Sequence, residues 1–268
     1  MSRSLIVAYL ILSAVLLTVT ARGYPFNTLA IVAASLAMFA ACFASAATLL
    51  GKSAATKFAL LAVATGWFAE QMGSSHGWFF GSYTYTDVLG PALGNVPLAI
   101  PLMWFALCFI GYVLANLILY KQPVDGSAPM SRIAGATLIA AMIVTAFDLG
   151  ADPYFVFVLK AWIMTKTDGG WFGETLQGFV GWMFIAFVII FAFRLWARST
   201  ALARPTPAAR RAAAVPLIIY ASGMVFQMLL GHPIETRAIA VFAMGIPLLC
   251  AGHGWLQWRA SVTQRAAA

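Results

Sequence analysis

Eight apolar runs, each close to the length that crosses a bilayer, dominate this sequence and limit what it can fold into. They fall at about 5–21, 28–50, 58–74, 97–119, 132–150, 177–196, 213–231 and 236–256, and a spanning helix needs about 20 apolar residues to cross roughly 30 Å of hydrocarbon. Composition agrees. Of 268 residues 62% are hydrophobic and 9% charged, against a charged fraction of about 25% in soluble domains. The pattern predicts an all-α fold, a polytopic transmembrane helical bundle of about eight spans, with residues 1–268 forming a single integral membrane domain. The run 154–164 is apolar but too short to span, and reads as one interfacial or re-entrant segment.

Several function classes drop out. Cys42, Cys108 and Cys250 each lie inside an apolar run without paired spacing, so no disulfide framework, zinc site or iron–sulfur site is expected. There is no dinucleotide fingerprint after a strand and no phosphate-binding P-loop. His76, His232 and His253 are too few for a membrane di-iron oxygenase; a haem between His76 and His232 is a minor alternative. Neither a metal nor a cofactor is expected.

The net charge of +8 points to topology rather than to nucleic acid. With alternating spans, Arg3, Lys52, Lys57, Lys121, Arg132, Arg194, Arg198, Arg204, Arg210, Arg211, Arg259 and Arg265 share one side, leaving Arg22, Lys160, Lys166 and Arg237 on the other. The positive-inside rule then makes both termini cytoplasmic, and the expected location is a bacterial or archaeal cell membrane. A cleavable signal peptide ending near residues 19–21 is a second reading of the start and leaves the remaining orientation unchanged.

Acidic residues run the opposite way. Glu70, Asp87, Asp148, Asp152, Asp168, Glu174 and Glu235 fall on the basic-poor side, and Asp125 alone on the other. Solvated loops account for Asp87 and Asp168, but Glu70 and Asp148 sit inside apolar helices. A charge there costs on the order of 3 kcal/mol, so such residues face a cavity. In DLGADP, residues 148–153, helical spacing turns Asp148 and Asp152 to one side. Two carboxylates so close do not both ionise readily, which supplies an acid and a base together. The loop after Glu70, with WFFGSYTY at 78–85, has no Lys or Arg between Lys57 and Lys121. It is expected to fold over the bundle mouth, the alternative being an aromatic belt at the headgroups. A second aromatic stretch, WFGETLQGFVGW at 171–182, repeats the Trp-Phe-Gly theme.

Glu70, Gly77, Phe80-Gly81, Tyr83, Tyr85, Leu89-Gly90-Pro91, Pro97, Pro101 and Trp104, followed by Asp148, Asp152-Pro153, Trp162, Gly173 and Gly181-Trp182, resemble the membrane carotenoid-biosynthesis family that includes the CruF-type carotenoid 1,2-hydratases. The resemblance covers about residues 60–190. It implies addition of water across the terminal double bond of an acyclic carotenoid end group, without a redox cofactor. The chain departs from the pattern after Gly173, where Glu174, Thr175 and Gln177 replace an expected Val-Pro and Asn.

Such a hydration needs a strong proton donor, a stabilised tertiary cation and a positioned water. Asp148, Asp152 and Glu70 are the catalytic candidates, with Asp148 first choice as acid because it lies deeper. Trp67, Trp78, Phe80, Tyr83, Tyr85, Trp104, Trp162 and Trp182 are the substrate-binding candidates, since aromatic faces stabilise a desolvated cation by about 2 kcal/mol. The expected partners are an acyclic carotenoid drawn from the bilayer, lipid, and other membrane enzymes of carotenoid biosynthesis. Two alternatives remain open. One is a magnesium-dependent membrane prenyltransferase using the DxxxD spacing. The other is a carotenoid- or lipid-binding membrane protein or transporter without catalysis.

Overall fold

The computed structural model describes residues 3–23, 27–125, 128–199 and 206–267. Arg204, counted above, lies outside them, and the side chains of Arg3 and Arg265 are likewise not described. The predicted helices are all present: α1 (Arg3–Ala21), α2 (Asn27–Leu50), α3 (Lys52–His76), α4 (Ala99–Tyr120), α5 (Met130–Phe157), α6 (Leu176–Trp196), α7 (Pro207–Leu230) and α8 (Glu235–Ala267). Seven are long and apolar enough to cross a membrane. The other, α3, has the length, since 25 residues rise roughly 37 Å, but carries Lys52, Lys57, Glu70 and Gln71.

The bundle is built around α4, buried without interruption from Trp104 to Leu117, as a helix apolar on every face must be. Bare backbone lets its neighbours approach. A Cβ on Gly111 would stand 2.7 Å from the Ala140 carbonyl of α5, the small-residue packing of membrane helices. Aromatic rings fill the middle, with Phe58 of α3 stacked on Phe193 of α6 at 4.0 Å. The outer faces are apolar too: Leu249 is 75% and Phe242 67% exposed, which suits lipid and not water.

Four short strands close one end of the bundle. β1 (Tyr83–Tyr85), β2 (Ala92–Leu93) and β3 (Val96–Pro97) lie between α3 and α4, and β4 (Trp162–Met164) between α5 and α6. β1 pairs with β4 antiparallel, Tyr83 opposite Met164 and Tyr85 opposite Trp162. The segment expected as a single interfacial piece at 154–164 therefore divides. Its first residues continue α5 to Phe157 and its last form β4. The fifth run, expected to end near residue 150, continues as helix through Pro153.

The opposite end is pinned by ions. Arg194 of α6 is buried against Asp125, donates to Asn116 Oδ1 at 2.9 Å and lies over the Tyr112 ring at 4.5 Å. Tyr112 donates to Asp125 Oδ1 at 2.5 Å.

Candidate active site

Where the 77–98 and 158–175 connections meet, four carboxyl groups converge. Glu70, near the end of α3, is buried and accepts three hydrogen bonds: from Trp104 Nε1 at 2.9 Å, from the Tyr85 hydroxyl at 2.8 Å and from the Tyr83 hydroxyl. Local structure explains each. Gly77 ends α3 in the left-handed conformation at φ 70°, and Phe79, also left-handed at φ 60°, turns the chain back so that β1 runs beside α3. Residues two apart on a strand share a face, so Tyr83 and Tyr85 both reach Glu70. Glycines flank the acid at one helical turn on either side. A Cβ on Gly73 would lie 2.8 Å from the Tyr83 hydroxyl and one on Gly66 2.6 Å from Trp104 Cγ, so these bare positions seat the tyrosine and the indole.

Asp148 and Asp152 of α5 are both buried, one turn apart on one side. The helix continues past Pro153 for a specific reason. Proline has no N–H for the carbonyl four residues back, and here Leu149 O is taken instead by Trp171 Nε1 at 2.9 Å. Trp171 belongs to a tight turn in which Gly169 and Gly173 exchange backbone hydrogen bonds at 3.2 and 3.1 Å. Docking that turn on α5 carries Glu174 inward, where it is buried and within hydrogen-bonding reach of Asp152. Two carboxyls bond only through a shared proton, since ionised carboxylates have no donor. Asp148 Oδ2 and Glu174 Oε1 have no hydrogen-bond partner among the described residues. Asp148 and Asp152 lie within electrostatic reach of each other, of Glu174 and of Glu70.

A cavity of about 40 Å³ lies between the acids, lined by Glu70, Asp152, Phe80, Tyr83, Tyr85, Trp162, Trp182, Ile100, Met164 and Gly178. That is room for about one water. Among the described residues no Lys or Arg reaches its wall. Burial, and after it the charge of Glu70, push the Tyr83 and Tyr85 hydroxyls well above the usual tyrosine range, so both stay protonated donors. Burial also raises the Glu174 carboxyl above its ordinary range, against the lowering effect of its bond with Asp152.

The sequence candidates separate here. Phe80, Tyr83, Tyr85, Trp162 and Trp182 line the cavity. Trp104 stands behind them, bonded to Glu70 and stacked on Trp182 at 4.6 Å. Asp152 reaches the wall, while Asp148 lies one turn deeper and outside the lining. Trp67 and Trp78 are not brought in. The Trp67 indole donates to Leu93 O at 3.1 Å, and the left-handed turn at Phe79 leaves Trp78 53% exposed on the rim. Glu174 was missed as a site residue, although it was already visible as a departure from the expected pattern.

Residues 26–250 match the family described as carotenoid biosynthesis protein. This chain belongs to that family. The resemblance read from residues 60–190 is borne out, and the match of this carotenoid biosynthesis protein reaches well beyond those bounds at both ends. A bisanhydrobacterioruberin hydratase of Haloarcula japonica is 30% identical over 125 residues, 46% of this chain and 39% of that protein. The match therefore spans well under half the length of that relative. No solved structure matches. Family membership and seven apolar helices together make this an integral membrane protein of carotenoid biosynthesis.

Proposed function

We propose that this carotenoid biosynthesis protein hydrates the terminal 1,2 double bond of an acyclic carotenoid end group by acid catalysis, with no cofactor. The observation that carries the reading is the water-sized cavity in which Glu70 and Asp152 meet between aromatic faces and no basic side chain. The 30% identical relative, a bisanhydrobacterioruberin hydratase, supports it. Asp152, holding a proton in common with Glu174 and backed by Asp148, delivers that proton to the less substituted alkene carbon. A C–H bond forms, the π bond breaks and a tertiary cation is left. Trp162, Trp182 and Phe80 offer ring faces to it, an interaction worth about 2 kcal/mol when desolvated. Glu70, held by three donors as an acceptor, orients the water. As that water adds to the cation, Glu70 or the emptied aspartate takes its extra proton.

The test is incubation of purified protein with an acyclic carotene in ¹⁸O-labelled water. The expected product is heavier by one labelled water, and Asp152→Asn forms none while still binding the carotene. Carotene recovered unchanged from the wild type overturns the reading in favour of a binding protein or transporter. The prenyltransferase alternative is weaker because a diphosphate needs basic partners that the cavity wall lacks. On this reading the site faces away from the cytoplasm: reporter fusions after Gln122 and after Asp168 are expected to report inside and outside, and the reverse would overturn the orientation.

A further inference from the structure

A second and much larger cavity, about 510 Å³, lies between α1, α2, α4, α5 and α7. Its wall is almost wholly apolar, for example Leu17, Ile31, Leu107, Phe147 and Phe226, with a few hydroxyls such as Tyr9 and Ser222. The size is within the roughly 300–1,000 Å³ usual for small-molecule sites. Tyr9 to Leu17 of α1 line it, a rise of roughly 12 Å, so the space is elongated along the bundle. α1 is the most loosely held span, with 6% of its residues buried. It meets α7 through the 2.6 Å hydrogen bond between Tyr9 and Ser222.

This cavity abuts the carboxyl site across a thin partition. On α5, Phe147, Ala151 and Phe155 face the large cavity, whereas Asp152 faces the small one. On α4 the same division falls between Met103 and Ile100, one turn apart. What separates the two spaces at the mouth is the stack of Phe155 on Trp162, centroids 5.5 Å apart and planes 12° from parallel. Each ring belongs to a different cavity wall. A chain lying in the large space thus meets the Phe155 and Trp162 rings, packed with Ile100, on the side towards Asp152.

We infer that the large cavity is the binding site for the polyene end segment of an acyclic carotenoid, admitted from the bilayer between α1 and α7, with its terminal isoprenoid unit passing the Phe155–Trp162 partition to the carboxyls. This rests on the hydration reading for the identity of the occupant. An apolar, elongated space open towards lipid and ending at acid groups suits a hydrocarbon whose only reactive point is at its tip. The remainder of a long polyene stays in the bilayer.

The decisive variants narrow the cavity without touching the acids. Ala34→Phe fills it from α2 and Ser222→Phe from α7, while Leu36→Phe, on the exposed side of α2, is the control. Expected is a loss of conversion on the order of 100-fold for the first two and none for the control. In an Asp152→Asn background, the red shift of the bound polyene spectrum should vanish with Ala34→Phe. Should either filled variant misfold, Ala34→Cys read by site-resolved maleimide labelling replaces it, and added carotene is expected to slow the labelling at that position. Wild-type conversion by both filled variants, labelling of Ala34→Cys that carotene leaves unchanged, or a phospholipid that stays in the cavity against excess carotene overturns the proposal. If the wild type binds carotene without hydrating it and Ala34→Phe abolishes that binding, the hydration reading fails and the cavity assignment stands.

Discussion

Replacing Glu70 by glutamine separates what this residue does for folding from what it does for chemistry. The side chain is buried and receives the Trp104 indole on one oxygen and both tyrosine hydroxyls on the other. Indole is a donor only, so in Glu70→Gln the amide oxygen stays with Trp104 and the new NH₂ faces Tyr83 and Tyr85. Hydroxyls accept as well as donate, and by rotating they keep every group paired. Each bond weakens by about 1 kcal/mol on losing its charged partner, and relief of the desolvation of a buried charge offsets part of that. The net stability change is expected within about 2 kcal/mol. Glu70→Ala differs because it strands three donors at about 1–3 kcal/mol each, and should melt well below wild type in detergent. Conversion behaves otherwise. Removing a preorganised charge beside the developing cation is expected to cost about 10²–10³ in rate, equally in both variants per folded molecule. The assay is carotene hydration against melting temperature for wild type, Gln and Ala. A Gln variant that retains conversion within about tenfold, or 1.4 kcal/mol of barrier, would refute the argument that Glu70 acts through its charge.

Three further outcomes are expected. Trp171→Phe leaves the Leu149 carbonyl without its indole partner, at a cost of about 1–3 kcal/mol, and lowers conversion because the turn bearing Glu174 loses its anchor; melting and turnover measured together check this. Asp125→Ala strands the buried Arg194 and should destabilise by about 3–5 kcal/mol, with wild-type turnover per folded molecule since the pair lies at the far end. Glu174 has a raised pKa, so over that window the folded state binds more protons than the unfolded and stability falls as pH rises. Its contribution is full below the ordinary glutamate range near pH 4.3 and lost on rising through the folded pKa, and melts across pH should show a shallower decline in Glu174→Gln.

Much of the bundle was legible because lipid imposes a simple rule, an apolar run of fixed length per span. All eight runs became helices. The pairing of Asp148 with Asp152 was legible for a similar reason, since helical spacing alone puts them on one side. What escaped depended on partners distant in the chain. The fifth run reads as ending near residue 150, and the hydrogen bond that Pro153 forfeits is visible locally, whereas the indole that takes up the vacated carbonyl comes from Trp171. β1 and β4 are three residues each, too short for alternation to declare them, and their pairing joins loops about eighty positions apart. Trp67 and Trp78 looked equivalent to the other aromatics. Only the left-handed turn at Phe79 and the seat at Leu93 divide those facing the acids from those on the rim. Glu174 showed itself as an oddity of sequence whose place no local pattern disclosed.

The indole on Leu149 has a mechanical consequence. Because a residue of the 169–174 turn completes the backbone ladder of α5, lifting that turn would withdraw Glu174 from Asp152 and at the same stroke free the helix to bend at Pro153. Hinge and latch are one hydrogen bond. Carboxyl separation at the mouth and curvature of the fifth helix are thereby coupled, and a change imposed on one is expected to register in a spectroscopic label on the other.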